Sequence, residues 1–367
     1  MNPREPDTPL HDTALRADAQ ARRMLKEDLA RHFCKVHQPD DPPLFSREPR
    51  ALMQSHHWKW QLLEPLLARL GGEIDLGAGG PRRTLCLASP GLEMGTTPTF
   101  WASIQVILPG EVADAHRHTA SAFRFVMRGR GATTTVDGER YPMAEGDLVL
   151  TPAWSWHDHA YLGGEPMVWL DVLDIPLMHM LHATFFEAHG ATVQPVAPVE
   201  DASFRLYGSG LMRPPAGAAR TAFGDGLAPQ RNPLLCYPAA MALQALRQAA
   251  AASADPCDDV ILEYQNPLGG GSAMPTMAMT LQTLRAGFRG RARRGTGSRL
   301  YCVVRGSGTT EVAGQRFDWS AGDLFTVAPW AWHVHANAGG DGDAVLFQVN
   351  DHPALKALGF HREEVGA

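Results

Sequence analysis

Three histidines are the residues in this chain whose types and spacing most directly suggest chemistry. His116 and His118 alternate in the segment ADAHRHTASAF, so on a β-strand both imidazole rings would project from one face. His157 follows later, after the glycine turn Gly146-Asp147. Strands that are distant in sequence can bring three such rings to one point inside a β-barrel. Three neutral imidazoles leave coordination positions open on a metal ion, so the pattern predicts a catalytic metal site.

An internal repeat indicates the elements that position these histidines. The segment VMRGRGATTTVDGERYPMAEGDLVLTPAWSWHDHA begins at Val126, and VVRGSGTTEVAGQRFDWSAGDLFTVAPWAWHVHA begins at Val303. The matched positions are Gly131 with Gly308, Gly138 with Gly314, Gly146-Asp147 with Gly322-Asp323, and Trp156-His157 with Trp332-His333. In each copy, short β-branched or aromatic runs alternate with glycine turns, which is typical of antiparallel β-sandwiches and barrels. The repeat therefore predicts two similar β-barrels.

Helical patterns divide the remainder of the chain. Apolar and charged residues alternate at three-to-four spacing in 13–33 and in 58–70, and the segment LQALRQAAAASADP predicts a helix that ends near Ser253. A short helix is predicted after Pro353. The predicted fold is all-β with helical additions. Its parts are a helical N-terminal arm (1–75), a first barrel with the metal site (76–190), a connector (191–258), a second barrel without metal (259–350) and a C-terminal tail (351–367).

The composition is that of a folded chain and excludes several functions. Of 367 residues, 44% are hydrophobic and 20% are charged, and the net charge of −6 lacks the concentrated Lys and Arg that nucleic acids or anionic membranes require. No apolar stretch is long enough to cross a bilayer, and the polar N-terminus has no signal-peptide pattern. The five cysteines form no C-x-x-C pair, which indicates a reducing compartment. We therefore expect a cytoplasmic protein that binds neither nucleic acid nor a membrane.

The wider spacing around the histidines resembles the two sequence motifs of the cupin superfamily, whose jelly-roll barrels hold a metal inside. Arg124 stands where many cupins have a glutamate ligand; a guanidinium cannot ligate a metal, but it can bind a carboxylate bidentately beside one. The segments HRHTASAFRF, WSWHDH and WLDVLDIPL resemble the gentisate 1,2-dioxygenase family, which includes salicylate and 1-hydroxy-2-naphthoate dioxygenases. The resemblance extends to HHWKWQLLEPLL, RRTLCLASPGL and NPLGGGSAMPTM, and so covers nearly the whole chain.

This resemblance implies a set of site residues. The iron ligands would be His116, His118 and His157, with Fe(II) as the cofactor. The substrate carboxylate would be bound by Arg124 together with one of Arg82 and Arg83. His159 would donate a hydrogen bond near the substrate or oxygen, and Trp101 and Asp171 would line the pocket. Trp101 stands where gentisate enzymes often carry Tyr, which favours a salicylate without a second ring hydroxyl.

The resemblance also implies the reaction. A small aromatic carboxylic acid would chelate the iron through its carboxylate and ortho-hydroxyl, O2 would bind beside it, and the ring would open between those two carbons. Gentisate and 5-substituted salicylates are the expected substrates, with 1-hydroxy-2-naphthoate as an alternative. A different metal-dependent cupin enzyme, such as an isomerase or decarboxylase, is a second alternative that Arg124 disfavours. A non-catalytic binding or storage cupin is a third, which the intact histidine set disfavours. Family members tend to form homotetramers, so the same assembly is expected here.

The second repeat has lost its own metal-binding pattern. Arg293-Arg294-Gly295 stands where the first repeat has His116-Arg117-His118, and only His333 remains, with His335 as its neighbour. We therefore predict one iron per chain. For the arginines of FRGRARRG we considered solvent, a subunit contact and the lost pocket, and we expect a solvated loop.

Overall fold

The computed structural model describes residues 10–37, 44–73, 83–212, 232–252, 254–337 and 342–366. The chain divides into two compact units, Met1–Arg50 and Ala51–Ala367. The first unit contains helix α1 (Leu10–Arg31), which confirms the helix predicted over 13–33. Nearly all of the side chains described in this unit are exposed, including the apolar side chains of Met24 and Phe33. No helix among the described residues is long and apolar enough to cross a membrane.

The second unit is built mainly of short antiparallel strands. In its described residues the elements are, in chain order, β1 (His57–Trp58), α2 (Trp60–Glu73), β2 (Thr84–Leu87), β3 (Trp101–Ile107), β4 (Val112–His118), β5 (Ala122–Arg128), β6 (Arg130–Val136), β7 (Glu139–Ala144), β8 (Leu148–Thr151), β9 (His157–Tyr161), β10 (Met167–Leu173), α3 (Ile175–Met180), β11 (Phe186–Ala188), α4 (Ala202–Tyr207), β12 (Cys236–Tyr237), α5 (Ala239–Ala250), β13 (Val260–Glu263), β14 (Ala278–Leu284), β15 (Arg293–Gly295), β16 (Arg299–Arg305), β17 (Ser307–Val312), β18 (Gln315–Ser320), β19 (Leu324–Val327), β20 (His333–Ala336), β21 (Ala344–Asn350), α6 (His352–Ala357) and β22 (Glu363–Val365).

Each repeat forms a barrel from two sheets, and the strand order is the same in both. The first barrel has the sheets β12-β8-β5-β10-β3-β2 and β11-β4-β9-β6-β7. The second has β1-β19-β16-β21-β14-β13 and β18-β17-β20-β15-β22. The prediction of two similar barrels with helical additions is therefore confirmed.

The two barrels share an apolar core, and further apolar side chains of the second barrel form a separate cluster. Phe125 of β5 stacks on Phe347 of β21 with ring centroids 4.0 Å apart, and both rings are buried. One cluster of buried side chains contains residues from both barrels and from α2 and α5. Aromatic pairs with this offset geometry add to the stabilisation that burial itself provides.

Each barrel also receives a strand from the segment that precedes the other barrel. Strand β1 lies before the first barrel in sequence but pairs with β19 of the second, with His57 opposite Phe325. Strand β12 lies before the second barrel but pairs with β8 of the first, with Cys236 opposite Val149. Helices α2 and α5 follow these strands directly. Helix α5 ends at Ala250, and the predicted helix end near Ser253 lies outside the described residues.

The prediction of a solvated loop over FRGRARRG is wrong for Arg293 and Arg294. Arg293 lies on β15 opposite His333, and its guanidinium pairs at 2.5 Å with the carboxylate of Asp258, which is 1% exposed. Arg294 pairs with Glu364 and lies over the rings of Trp330 and Trp332. The buried carboxylate holds Arg293 inside the barrel, since a buried charge needs a partner of opposite sign.

Candidate metal centre

The three histidines of the first barrel converge on one point. His116 and His118 lie on β4, and His157 begins the adjacent strand β9, directly opposite His116. The ring centroid of His157 is 4.2 Å from that of His116 and 4.8 Å from that of His118. The potential ligand nitrogens all lie within 4.8 Å of one another. The alternation along β4 and the cross-strand pairing with β9 together produce this convergence.

Each of these imidazoles is oriented by the backbone through its Nδ1 atom. The Nδ1 of His116 is 2.8 Å from the carbonyl oxygen of Asp114, and that of His157 is 2.9 Å from the carbonyl oxygen of Ser155. The Nδ1 of His118 is likewise 2.8 Å from the carbonyl oxygen of Ala120. A carbonyl can only accept, so Nδ1 carries the proton and Nε2 keeps its lone pair. Metal-ligating histidines commonly show this arrangement.

The environment keeps the His157 ring uncharged. His157 is fully buried, and burial, with the neighbouring His116, Arg124 and His118, lowers its pKa well below the usual value for histidine. Its Nε2 is buried and has no hydrogen-bond partner within the described part of the chain. A buried nitrogen acceptor is costly unless it is bound, and a metal ion would satisfy it. Three converging imidazole donors therefore fit a divalent transition metal.

Arg124 lies in the same barrel interior. It is 1% exposed, its Nη1 donates to Thr151 Oγ1 at 2.8 Å, and its Nη2 is 3.7 Å from Asp171 Oδ1. Burial lowers the pKa of Arg124, and the charge of Asp171 opposes that effect. Its Nε has no partner among the described residues. A fully buried guanidinium with an unused donor is suited to binding an anion.

Trp101 and Asp171 project from the sheet face that carries Arg124. In the antiparallel registers Asp171 is opposite Arg124, and Trp101 is opposite Leu173 on the same strand as Asp171. Residues two apart on a strand share a face. Trp101 is partly buried and packs with α3 against a small apolar cluster that includes Leu173. It therefore lines the wall of the barrel at the level of α3.

His159 lies deeper in the first barrel, and Arg83 lies near it. His159 is fully buried, its Nδ1 is 2.8 Å from Thr134 Oγ1, and its ring centroid is 6.0 Å from that of His157. Arg83 pairs with Glu111 and shares a narrow cavity with His159. Arg82, the other arginine considered for the carboxylate, lies outside the described residues.

Three neighbours of the site escaped sequence reasoning. Thr151 accepts a hydrogen bond from Arg124, Thr134 bonds His159, and Phe186 of β11 stacks on His116 with centroids 5.4 Å apart. The repeat offered a signal for Thr134, which matches Thr310 of the second copy. Thr310 bonds His335 at the same distance of 2.8 Å. No comparable signal marks Phe186, whose strand is only three residues long.

The second barrel has no equivalent triad among its described residues. The registers place Arg293 opposite His333, as His116 is opposite His157, and Gly295 opposite Glu363, as His118 is opposite Phe186. A separate groove, lined by Tyr207, Tyr237 and Tyr264 among others, contains none of the predicted site residues.

Comparison with known proteins agrees with this architecture. The cupin domain model matches twice, over residues 103–173 and 280–350. The fold and the histidine cluster define a protein with two cupin barrels, of which the first carries three histidines placed so that they could hold a metal ion.

Individual relatives identify the family. The chain is 37% identical to a 5-aminosalicylate 1,2-dioxygenase of Comamonas sp, over 94% of this chain and 90% of the relative. It is 35% identical to gentisate 1,2 dioxygenase 1 of Aquipseudomonas alcaligenes, over 90% and 94%. The structure of salicylate 1,2-dioxygenase from Pseudoaminobacter salicylatoxidans with gentisate superposes with a TM-score of 0.84 at 31% identity, over 100% of this chain and 96% of that one. The chain belongs to the gentisate 1,2-dioxygenase family of ring-cleaving cupin enzymes.

Proposed function

We propose that this chain is an Fe(II)-dependent dioxygenase that cleaves the ring of a salicylate-type acid. Both atoms of O2 would be inserted between the carboxyl-bearing and the hydroxyl-bearing carbon. The observation that carries the proposal is the buried Arg124 in the same barrel as three converging imidazoles. The names of the relatives, 5-aminosalicylate and gentisate 1,2-dioxygenase, support this substrate class.

The residues that would hold the metal are His116, His118 and His157, each through Nε2. Fe(II), when bound, would supply the oxygen and electron-transfer chemistry that the protein itself lacks. Backbone carbonyls orient all three rings, so the ligand set is formed before the metal arrives. No ligand in this set is anionic, which leaves positive charge on the site for a chelating, anionic substrate.

The substrate would be positioned mainly by Arg124. Its guanidinium would bind the carboxylate, and Asp171 and Thr151 would hold the guanidinium in place. His159, with Nδ1 at the Thr134 hydroxyl, would donate a hydrogen bond from Nε2 to a substrate or oxygen atom. Trp101 would form a wall of the pocket. We propose one of Arg82 and Arg83 as a second carboxylate-binding residue; Arg83 already pairs with Glu111.

The preferred substrate is proposed to be gentisate or a 5-substituted salicylate. A 1-hydroxy-2-naphthoate 1,2-dioxygenase from Nocardioides sp. is 36% identical over 86% of this chain, which supports 1-hydroxy-2-naphthoate as the alternative. A different metal-dependent cupin activity is the further alternative, and the buried arginine in the barrel argues against it.

We propose a cytoplasmic homotetramer with one iron per chain. The exposed apolar side chains of Met24, Leu25 and Phe33 on or beside α1 support self-association through the N-terminal segment. Arg293 and Gly295 at the positions of two ligands support the absence of iron from the second barrel. The proposed parts remain an arm (1–75), a first barrel (76–190), a connector (191–258), a second barrel (259–350) and a tail (351–367).

Oxygen uptake tests the proposal. Protein loaded anaerobically with Fe(II) is mixed with gentisate, salicylate, 5-aminosalicylate or 1-hydroxy-2-naphthoate while O2 and ultraviolet absorbance are followed. One O2 per substrate is expected, and His118→Ala should abolish uptake and lower the iron content. His333→Ala removes the matching histidine of the second barrel and should leave uptake unchanged. Iron-loaded protein that consumes no O2 with any of these acids would refute the proposal.

A further inference from the structure

A second group of metal-ligating side chains lies in the C-terminal segment, outside the first barrel. His352 begins helix α6, His361 precedes β22, and Glu363 begins β22. The Nε2 atoms of His352 and His361 lie 4.0 and 3.9 Å from Glu363 Oε1. The ring centroids of the two histidines are 4.6 Å apart, and all three ligand atoms lie within 4.8 Å of one another.

The Nε2 atom of each of these two histidines is buried. The side chains of His352 and His361 are 13% and 18% exposed. Their Nε2 atoms have no hydrogen-bond partner in the described part of the chain. Two buried unsatisfied nitrogens that face one carboxylate are costly in a folded protein, and native structures usually satisfy such atoms with a bound group.

Two glycines make room for the side chains of this cluster. A Cβ atom on Gly297 would lie 2.9 Å from His352 Nε2, and one on Gly295 would lie 3.4 Å from Glu363 Oε1. Neither glycine has the left-handed backbone that would by itself require glycine. The absence of a side chain at these two positions therefore accommodates the His352 ring and the Glu363 side chain rather than serving a turn.

The charges around the cluster determine what it can bind. Arg299 is fully buried and donates from Nη2 to Glu363 Oε1 at 2.7 Å, which keeps the carboxylate ionised and in place. A carboxylate has further lone pairs on both oxygens, so this bond does not exhaust it. Burial, with Arg299 nearby, lowers the pKa of His352. The positive charge of Arg299 also implies a modest affinity for a cation.

We propose that His352, His361 and Glu363 bind one divalent transition-metal ion of the Zn²⁺ class. Two imidazoles and one carboxylate are a donor set that such ions accept. Since β22 pairs with β15, the bound ion would fasten the C-terminal strand and α6 to the second barrel. The site is independent of the histidine triad and of the proposed dioxygenase activity.

Metal counting in the full chain tests this site. The double variant His116→Ala/His118→Ala removes the first site, and the protein is dialysed to equilibrium against Zn²⁺ before the bound metal is measured by mass spectrometry. We expect about one Zn²⁺ per chain and a raised melting temperature. Adding His361→Ala should reduce the zinc to near zero, whereas adding His32→Ala, an exposed histidine, should leave it unchanged.

A conservative variant guards against loss of folding. Glu363→Gln retains an oxygen that can accept from Arg299 but removes the negative charge, so the affinity for Zn²⁺ and Co²⁺ should fall at least about tenfold. Circular dichroism in EDTA establishes that each variant is folded. Folded double variant that retains no Zn²⁺, or zinc binding that is equal with and without His361, would overturn the proposal.

Discussion

The carboxylate of Asp323 accepts a hydrogen bond at 2.7 Å from the backbone N–H of Trp60, which is 263 residues away in sequence. Trp60 is the first residue of α2, so the bond fixes the start of that helix on the turn between β18 and β19. In the first barrel Asp147 makes the matching bond at 2.8 Å to Ala239, the first residue of α5. The aspartate of each Gly-Asp turn thus binds the helix that precedes the other barrel.

Asp323→Ala should destabilise the folded chain. The carboxylate also lies 3.0 Å from His57 Nε2 and accepts from the backbone N–H of Ser320. Hydrogen bonds to a charged group contribute about 1.5–3 kcal/mol each, so the loss of three of them should cost at least about 4 kcal/mol at pH 7. Urea unfolding measures it. Asp318→Ala, an exposed aspartate on the same hairpin, should change the free energy of unfolding by less than about 0.5 kcal/mol.

The cost of Asp323→Ala should depend on pH. Burial alone would raise the pKa of Asp323, but the bonds from His57, Trp60 and Ser320 outweigh burial and lower it. A folded-state pKa below the unfolded value means that the carboxylate stabilises above the unfolded pKa of about 3.9 and less so below it. The difference between wild type and variant should therefore shrink as pH falls below about 4. A difference that is constant from pH 7 to pH 3 would contradict this account.

Much of the site was predictable because its signals are local. Two patterns can be recognised in short stretches of sequence: the alternation of His116 and His118 on one strand, and the repeated glycine turns. The structure confirms both. The exchange of β1 and β12 between the barrels was not predictable, since neither two-residue strand has a pattern that names its partner. The burial of Arg293 was not predictable either, because it depends on an ion pair with Asp258, which lies in the connector.

Arg124→Lys should separate substrate binding from metal binding. Lysine keeps the positive charge but lacks the planar fork that binds a carboxylate through two hydrogen bonds. We expect kcat/KM for a salicylate-type acid to fall at least about 100-fold, which corresponds to about 2.8 kcal/mol, while the iron content stays at one per chain. Arg130→Lys, an exposed arginine on the next strand, is the matched control. An unchanged kcat/KM in Arg124→Lys would remove this residue from the proposed carboxylate site.

Thr134→Val tests whether the orientation of His159 matters. The hydroxyl of Thr134 holds the Nδ1 atom of His159, and Thr310 holds His335 in the same way in the second barrel. Thr134→Val removes the bond to His159 and a weaker contact to the Met143 sulfur, and it should cost about 1 kcal/mol of stability. The matched variant Thr310→Val removes the bonds to both His335 and Trp319 Nε1, so it should cost about 2 kcal/mol. Only Thr134→Val should also lower kcat. Equal kcat values in the two variants would show that His159 acts through packing alone.

Asp174→Asn should raise stability at neutral pH. Asp174 is 3% exposed; its Oδ1 accepts from the backbone N–H of Ser121 at 2.8 Å and its Oδ2 from Thr276 Oγ1 at 2.6 Å. Burial raises its pKa to about 6, against the opposing effect of these hydrogen bonds. An asparagine can keep both contacts, because its carbonyl can accept from Ser121 and its amide can donate to the threonine oxygen.

The raised pKa of Asp174 determines how its contribution to stability changes with pH. A folded-state pKa above the unfolded value means that the folded chain takes up a proton as pH falls from about 6 to about 4, so this contribution is present at low pH and is lost as pH rises. The neutral asparagine avoids that loss, so Asp174→Asn should be more stable than wild type at pH 7, by at most about 3 kcal/mol. The advantage should vanish near pH 4.

In the second barrel, Asp351 accepts hydrogen bonds from Ser298 and from Thr99, and burial raises its pKa too. Asp351→Asn should therefore change stability in the same direction as Asp174→Asn. Thermal unfolding at pH 4, 5, 6 and 7 measures both, and a stability difference without pH dependence would contradict the assigned pKa shifts.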